Sequence, residues 1–93
     1  MYQVYVTSRA RKQLRRIDPK YHTRIKEFLI SLQSDPIPYK IYDVVKMGGR
    51  VNTFRARIGD IRVMYEVDPH NREINVLAIM PRSSAYKINR DAS

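Results

Sequence analysis

The dipeptide Gly59-Asp60, set between two β-rich runs, constrains the fold of this chain more than any other pair of residues in it. A Gly-X pair in that setting suits a two-residue type II′ turn, and so short a turn fixes the register of the strands it joins. With residues 51–58 and 61–67 as those strands, Ile58 faces Ile61, Arg57 faces Arg62 and Arg55 faces Met64. Phe54, Ala56 and Ile58 then share one face with Ile61, Val63 and Tyr65, an apolar surface fit to receive helices. Arg55, Arg57 and Arg62 fall on the other, uncovered face. Like charges directly across a hairpin are destabilising. Folding alone favours Glu or Thr at one of these positions, so the three arginines point to an anionic ligand. The plainer reading is a solvated face, its arginines paired with Glu66, Asp60 or the tail and serving to discourage edge-to-edge association.

Upstream, Asp35-Pro36-Ile37-Pro38 divides the chain, because prolines so close together forbid helix. Before it, Tyr2 to Val6 is β-branched and aromatic and reads as a strand. Thr7 or Ser8 can cap a helix carrying Ala10, Leu14 and Ile17 at helical spacing. Asp18-Pro19 is a restart signal, N-cap Asp followed by Pro at the first helical position. The second helix is expected to run to about Ser34, with Tyr21, Ile25, Phe28, Leu29 and Leu32 as its buried stripe. After the prolines come strands: 41–47, broken by Gly48-Gly49, then the hairpin, a type I turn at Asp68-Pro69-His70-Asn71, and 73–80 up to Pro81. Ile74, Val76, Leu77, Ala78 and Ile79 are apolar on both faces, which predicts a central strand. The expected fold is a single α+β domain over residues 1–93, β-α-α-β-β-β(-β), with an antiparallel twisted sheet and a two-helix hairpin packed on one face. The polar tail after about residue 87 is expected to fray.

Eighteen Lys and Arg against nine Asp and Glu leave a net charge of +9, which suits nucleic acid, an acidic protein or a membrane surface. There is no cysteine, hence no disulfide framework and no thiolate metal site. The N-terminus lacks a signal-like apolar run and no segment reaches transmembrane length, so a cytoplasmic protein with no membrane role is expected. Placement of the charge is more informative than its amount. The last strand runs antiparallel to its neighbour, so its end returns beside Gly59-Asp60. Pro81 stops it there, and Arg82, Ser83, Ser84, Tyr86 and Lys87 follow. Basic groups, hydroxyls and an aromatic ring thus converge at one end of the sheet. A second basic set, Arg9, Arg11, Lys12, Arg15 and Arg16, lies on the first helix and contains i,i+4 like-charge pairs. His22 and His70 lack paired partners and read as surface residues rather than catalysts.

Three stretches carry a resemblance: Asp43-Val44-Val45-Lys46-Met47-Gly48-Gly49, the run from Phe54 to Tyr65 (FRARIGDIRVMY), and Pro81-Arg82-Ser83-Ser84-Ala85-Tyr86. They resemble the RelE/ParE toxin superfamily, closest to archaeal RelE-type mRNA interferases, over nearly the whole chain. The resemblance implies a microbial-RNase-like α+β domain, cleavage of mRNA in the ribosomal A site, and an acidic RelB-like antitoxin as partner. It implies roles residue by residue. Arg62 matches an arginine that binds the scissile phosphate, Arg82 a C-terminal arginine needed for activity, and Tyr86 a tyrosine that stacks on a base. Arg55 and Arg57 stand where relatives place basic residues, often lysine, and Lys46 falls in the family's K-x-x-G region. Arginine at 55 and 57 is a departure: a guanidinium clamps charge well but is a poor proton acceptor.

RNA carries its own nucleophile, the 2′-OH beside the scissile phosphate. The protein must align it, stabilise charge on the phosphorane and assist the leaving 5′ oxygen, a route for which no cofactor and no protein-bound metal is expected. Arg62 and Arg57 would grip the phosphate and Arg82 would stabilise the leaving group. Tyr86 either stacks on a base or pins the tail. Lys46 and Lys87 would meet ribosomal or messenger RNA, and the helix set would do the same, or receive the antitoxin's acidic segment, or simply be solvated. The alternatives are a ParE-type gyrase inhibitor without nuclease chemistry and a non-catalytic RNA-binding domain, since one fold serves several functions.

Overall fold

A computed structural model describes residues 1–83. The chain runs β1 (Gln3–Val6), α1 (Ser8–Arg16), a 3-10 turn (Pro19–Tyr21), α2 (His22–Ser31), β2 (Asp43–Lys46), β3 (Thr53–Ile58), β4 (Ile61–Asp68) and β5 (Glu73–Pro81). The strands form one sheet in the order β1-β5-β4-β3-β2. This is the α+β architecture the sequence predicts, with one refinement. β2 to β5 pair antiparallel, whereas β1 lies parallel to β5, so the sheet is mixed. The helical hairpin carries the chain from β1 at one edge to β2 at the other.

Local chemistry sets the boundaries. Thr7 is the N-cap of α1, its hydroxyl accepting from the Ala10 N–H at 3.2 Å. Asp18 caps the 3-10 turn by accepting from the Lys20 N–H at 3.0 Å. α2 ends at Ser31 rather than Ser34, because the Gln33 and Ser34 N–H groups bond three residues back, to Ile30 and Ser31, and tighten the coil. The strand before the hairpin starts at Thr53, since Asn52 holds a left-handed φ of 51°.

The core lies between the helices and one face of the sheet. Ala10, Ile17, Ile25, Phe28 and Leu32 pack on Ala56, Val63, Tyr65, Ile74, Val76 and Ile79. Tyr65 is fully buried, and its hydroxyl donates to the Pro36 carbonyl at 2.8 Å. Burial, and then Asp35, raise its pKa, so this tyrosine is a neutral core residue. α1 also closes an edge. β1 pairs with β5 only as far as Val76, and beyond it the Gln13 side chain accepts from the Ile79 N–H at 2.9 Å. No helix among the described residues is long and apolar enough to cross a membrane.

Candidate functional site

The Gly59-Asp60 hairpin has the register its turn demands. Arg57 pairs with Arg62, and Arg55 with Met64. Gly59 takes a left-handed φ of 60°, as the first central residue of a II′ turn requires. Across the sheet this places Asp43, Arg57, Arg62 and Met80 on one rung, and Val45, Arg55, Met64 and Ala78 on the next. The face opposite the helices therefore carries three arginines beside a small apolar cluster of Met47, Met64, Ala78 and Met80.

The turn organises this end of the sheet. Arg62 Nη1 donates to the Gly59 carbonyl at 3.0 Å and to the Ile61 carbonyl at 3.2 Å. The Arg82 N–H donates to the Asp60 carbonyl at 2.9 Å, bringing the end of β5 to the same place. From the helical side, the Tyr21 hydroxyl donates to Asp60 Oδ2 at 3.3 Å. Tyr21 and Arg24 pack so closely on Gly59 that a Cβ there would lie 3.0 Å from each. One turn thus joins the helical hairpin to two arginines on the other side of the sheet.

The charges on this face are barely compensated. Among the described residues the sole ion pair is Arg57 with Asp43, at 3.9 Å. Asp60 is occupied by Tyr21, and Glu66 accepts from Asn75 at 3.4 Å, so neither supplies the pairing that a simple solvated face would need. Partial burial, then Arg57, Arg55 and Arg82, hold the Arg62 pKa below its ordinary value, while Asp43 opposes them. A guanidinium stays charged at neutral pH regardless. Among the described residues the consequence is a cluster of positive charge around Arg62 that Asp43 alone offsets, with the Arg62 Nε and Nη2 donors uncommitted.

Arg55, Arg57, Arg62 and Arg82 are therefore brought together as the sequence predicts. Lys46 is not among them. It pairs with Phe54, on the helix-bearing side of the sheet and at the far end of β2 from Asp43. Arg9, Arg11, Lys12, Arg15 and Arg16 are all exposed on α1. Of these, Arg9 reaches the open face, where with Arg50 it rims a cleft of about 360 Å³ floored by Met64, Leu77 and Ala78. Tyr86, Lys87 and Ser84 lie outside the described residues. His22 is half-buried rather than superficial: its Nε2 lies 3.1 Å from both the Leu14 and Ile17 carbonyls, tying α2 to the end of α1. Asp43 and Tyr21 escaped the sequence reading as site residues. Strand alternation on 43–46 would have exposed Asp43 had the pairing of that strand with β3 been known.

Comparison with known proteins gives this face a context. A family model described as the ParE toxin of a type II toxin–antitoxin system matches residues 4–86. The chain belongs to the RelE/ParE family of type II toxins. A curated relative, RelE1 of Methanocaldococcus jannaschii, a candidate toxin, is 33% identical over 92% of this chain and 96% of its own. A chain in the crystal structure of the archaeal RelE–RelB complex from Pyrococcus horikoshii is 32% identical, with a TM-score of 0.79 over 87% of this chain and 94% of that one. The isolated E. coli RelE toxin, only 15% identical, shares the fold with a TM-score of 0.72 over 98% of this chain and 99% of its own.

Proposed function

We propose that this toxin is a ribosome-dependent endoribonuclease that cleaves mRNA in the A site, and that an acidic RelB-like antitoxin holds it inactive. The observation that carries this reading is the set of four arginines at one end of the open face, with one carboxylate at the limit of pairing distance. A phosphodiester passing to a phosphorane gains charge where such a cluster can stabilise it, and each well-placed donor is worth about 3–4 kcal/mol. In this role Arg62 and Arg57 grip the scissile phosphate, Arg55 extends the clamp, and Arg82 faces the leaving 5′ oxygen. Tyr86 would add base stacking, worth roughly 1–3 kcal/mol. The ribosome supplies the alignment of the 2′-OH that so open a face does not. Support for the antitoxin comes from the RelE–RelB complex of the Pyrococcus relative and from a charge of +9 that an acidic chain would complement.

The ParE description of the matching family model favours a second reading, inhibition of DNA gyrase without nuclease chemistry. Adding the purified protein to a translating extract and, separately, to a gyrase supercoiling assay distinguishes the two. Loss of intact mRNA with supercoiling unaffected is expected. Blocked supercoiling with intact mRNA would transfer the function to the second reading, and stable RNA binding without cleavage would leave a binding domain.

A further inference from the structure

The arginine set has a gap in its chemistry. Transfer to the 2′ oxygen requires something to take the 2′-OH proton, and no guanidinium does that near neutral pH. We propose that Asp43 is the general base of this ribonuclease, an inference that rests on the ribonuclease reading above.

Asp43 opens β2 directly opposite Arg57, which in turn faces Arg62, so the three side chains stand in a row on the open face. Its Oδ2 is 3.9 Å from Arg57 Nη1, close enough that a phosphate gripped by Arg57 lies beside the carboxylate. That distance is too long for a hydrogen bond, and neither Asp43 oxygen accepts one from the described residues. Asp60, Glu66 and Asp68 instead take hydrogen bonds from Tyr21, Asn75 and Asn71, respectively. The Asp43 side chain is 60% exposed, open to a substrate laid across the sheet. The charged groups around it are Arg57 on β3 and Arg62 on β4, and, across a cleft at the sheet edge, Arg24 and Glu27 on α2.

The step balances without another reactant. Asp43 takes the 2′-OH proton as the 2′ oxygen bonds to phosphorus, and the P–O5′ bond breaks. The 5′ oxygen, stabilised by Arg82, takes a proton from water, and Asp43 returns its own to solvent. The products are a 2′,3′-cyclic phosphate and a 5′-OH.

The test is single-turnover cleavage of mRNA on programmed ribosomes from pH 6 to 8.5. The wild-type rate is expected to stay level over this range, which lies well above where carboxylates ordinarily titrate. Asp43→Asn should lose about 10²-fold or more, and its residual rate should climb about tenfold per pH unit as hydroxide takes over. Asp43→Glu should restore much of the rate and the level profile, and Glu27→Gln should behave as wild type. A carboxylate that merely positions Arg57 would give a slower Asp43→Asn enzyme with the wild-type pH profile, which overturns the proposal while leaving the ribonuclease reading intact. An Asp43→Asn enzyme of wild-type rate would do the same. Ribosomes whose mRNA the wild type never cuts would remove both.

Discussion

Arg62 does two jobs in the structure. Its Nη1 fastens to carbonyls of the turn, and its charge sits among those of Arg55, Arg57 and Arg82. A cation whose pKa is lowered on folding disfavours the folded state at every pH below its ordinary value, so the penalty applies throughout the physiological range and does not appear as a pH transition. It should appear as anion dependence. Phosphate should raise the melting temperature by several degrees over chloride at equal ionic strength, and Arg62→Ala should lose most of that gain. Equal melting temperatures in the two salts would mean the cluster binds no anion. Gly59 is the other residue on which the site turns. Alanine there must adopt a left-handed φ against Tyr21 and Arg24, at a cost of about 1–3 kcal/mol by chemical denaturation. Activity should fall further than stability, because the displaced carbonyl is the one that holds Arg62. Arg55, Arg57 and Arg62 were legible in the sequence because a two-residue turn dictates which side chains face each other. Asp43 and Tyr21 were not, since each reaches the site through a partner distant in sequence.

At the scale of elements, α1 joins the two basic regions. Its apolar side packs in the core, its Gln13 closes the edge of β5, and Arg9 reaches the cleft on the open face. Arg11, Lys12 and Arg15 are not brought to that cleft. Charge reversal should therefore separate them. Arg9→Glu should weaken RNA binding by the isolated protein, whereas Arg15→Glu should leave it within about twofold of wild type and relieve an i,i+4 repulsion worth some tenths of a kcal/mol. Equal losses from both would make α1 a uniform electrostatic surface instead. Helices, caps and the central strand followed from periodicity and from Thr7, Asp18 and the paired prolines. The direction of β1 did not, because a short β-branched strand is equally suited to parallel and antiparallel partners, and its partner β5 lies at the other end of the chain. Lys46 pairs with Phe54 and so falls on the opposite face from the arginines, which its place in the sequence alone did not reveal.

For the whole molecule, the net charge of +9 and an exposed edge at β2 call for a partner that is acidic and able to lie along a sheet or over a helix. The neighbouring gene is expected to encode a short protein with an acidic, amphipathic C-terminal half, disordered alone and ordered on the toxin. Mixing the two should raise the toxin's melting temperature by several degrees and suppress its activity. A neighbouring product that neither binds nor protects cells would remove the toxin–antitoxin pairing. The ribonuclease reading itself is tested most directly by mapping the ends of an mRNA held on ribosomes with a known codon in the A site. Wild-type protein should produce new 5′-OH ends within that codon, and Arg62→Ala and Arg82→Ala, folded as judged by their melting curves, should produce at least about 10²-fold fewer. Uncut mRNA with wild-type protein, or undiminished cutting by both variants, would contradict it.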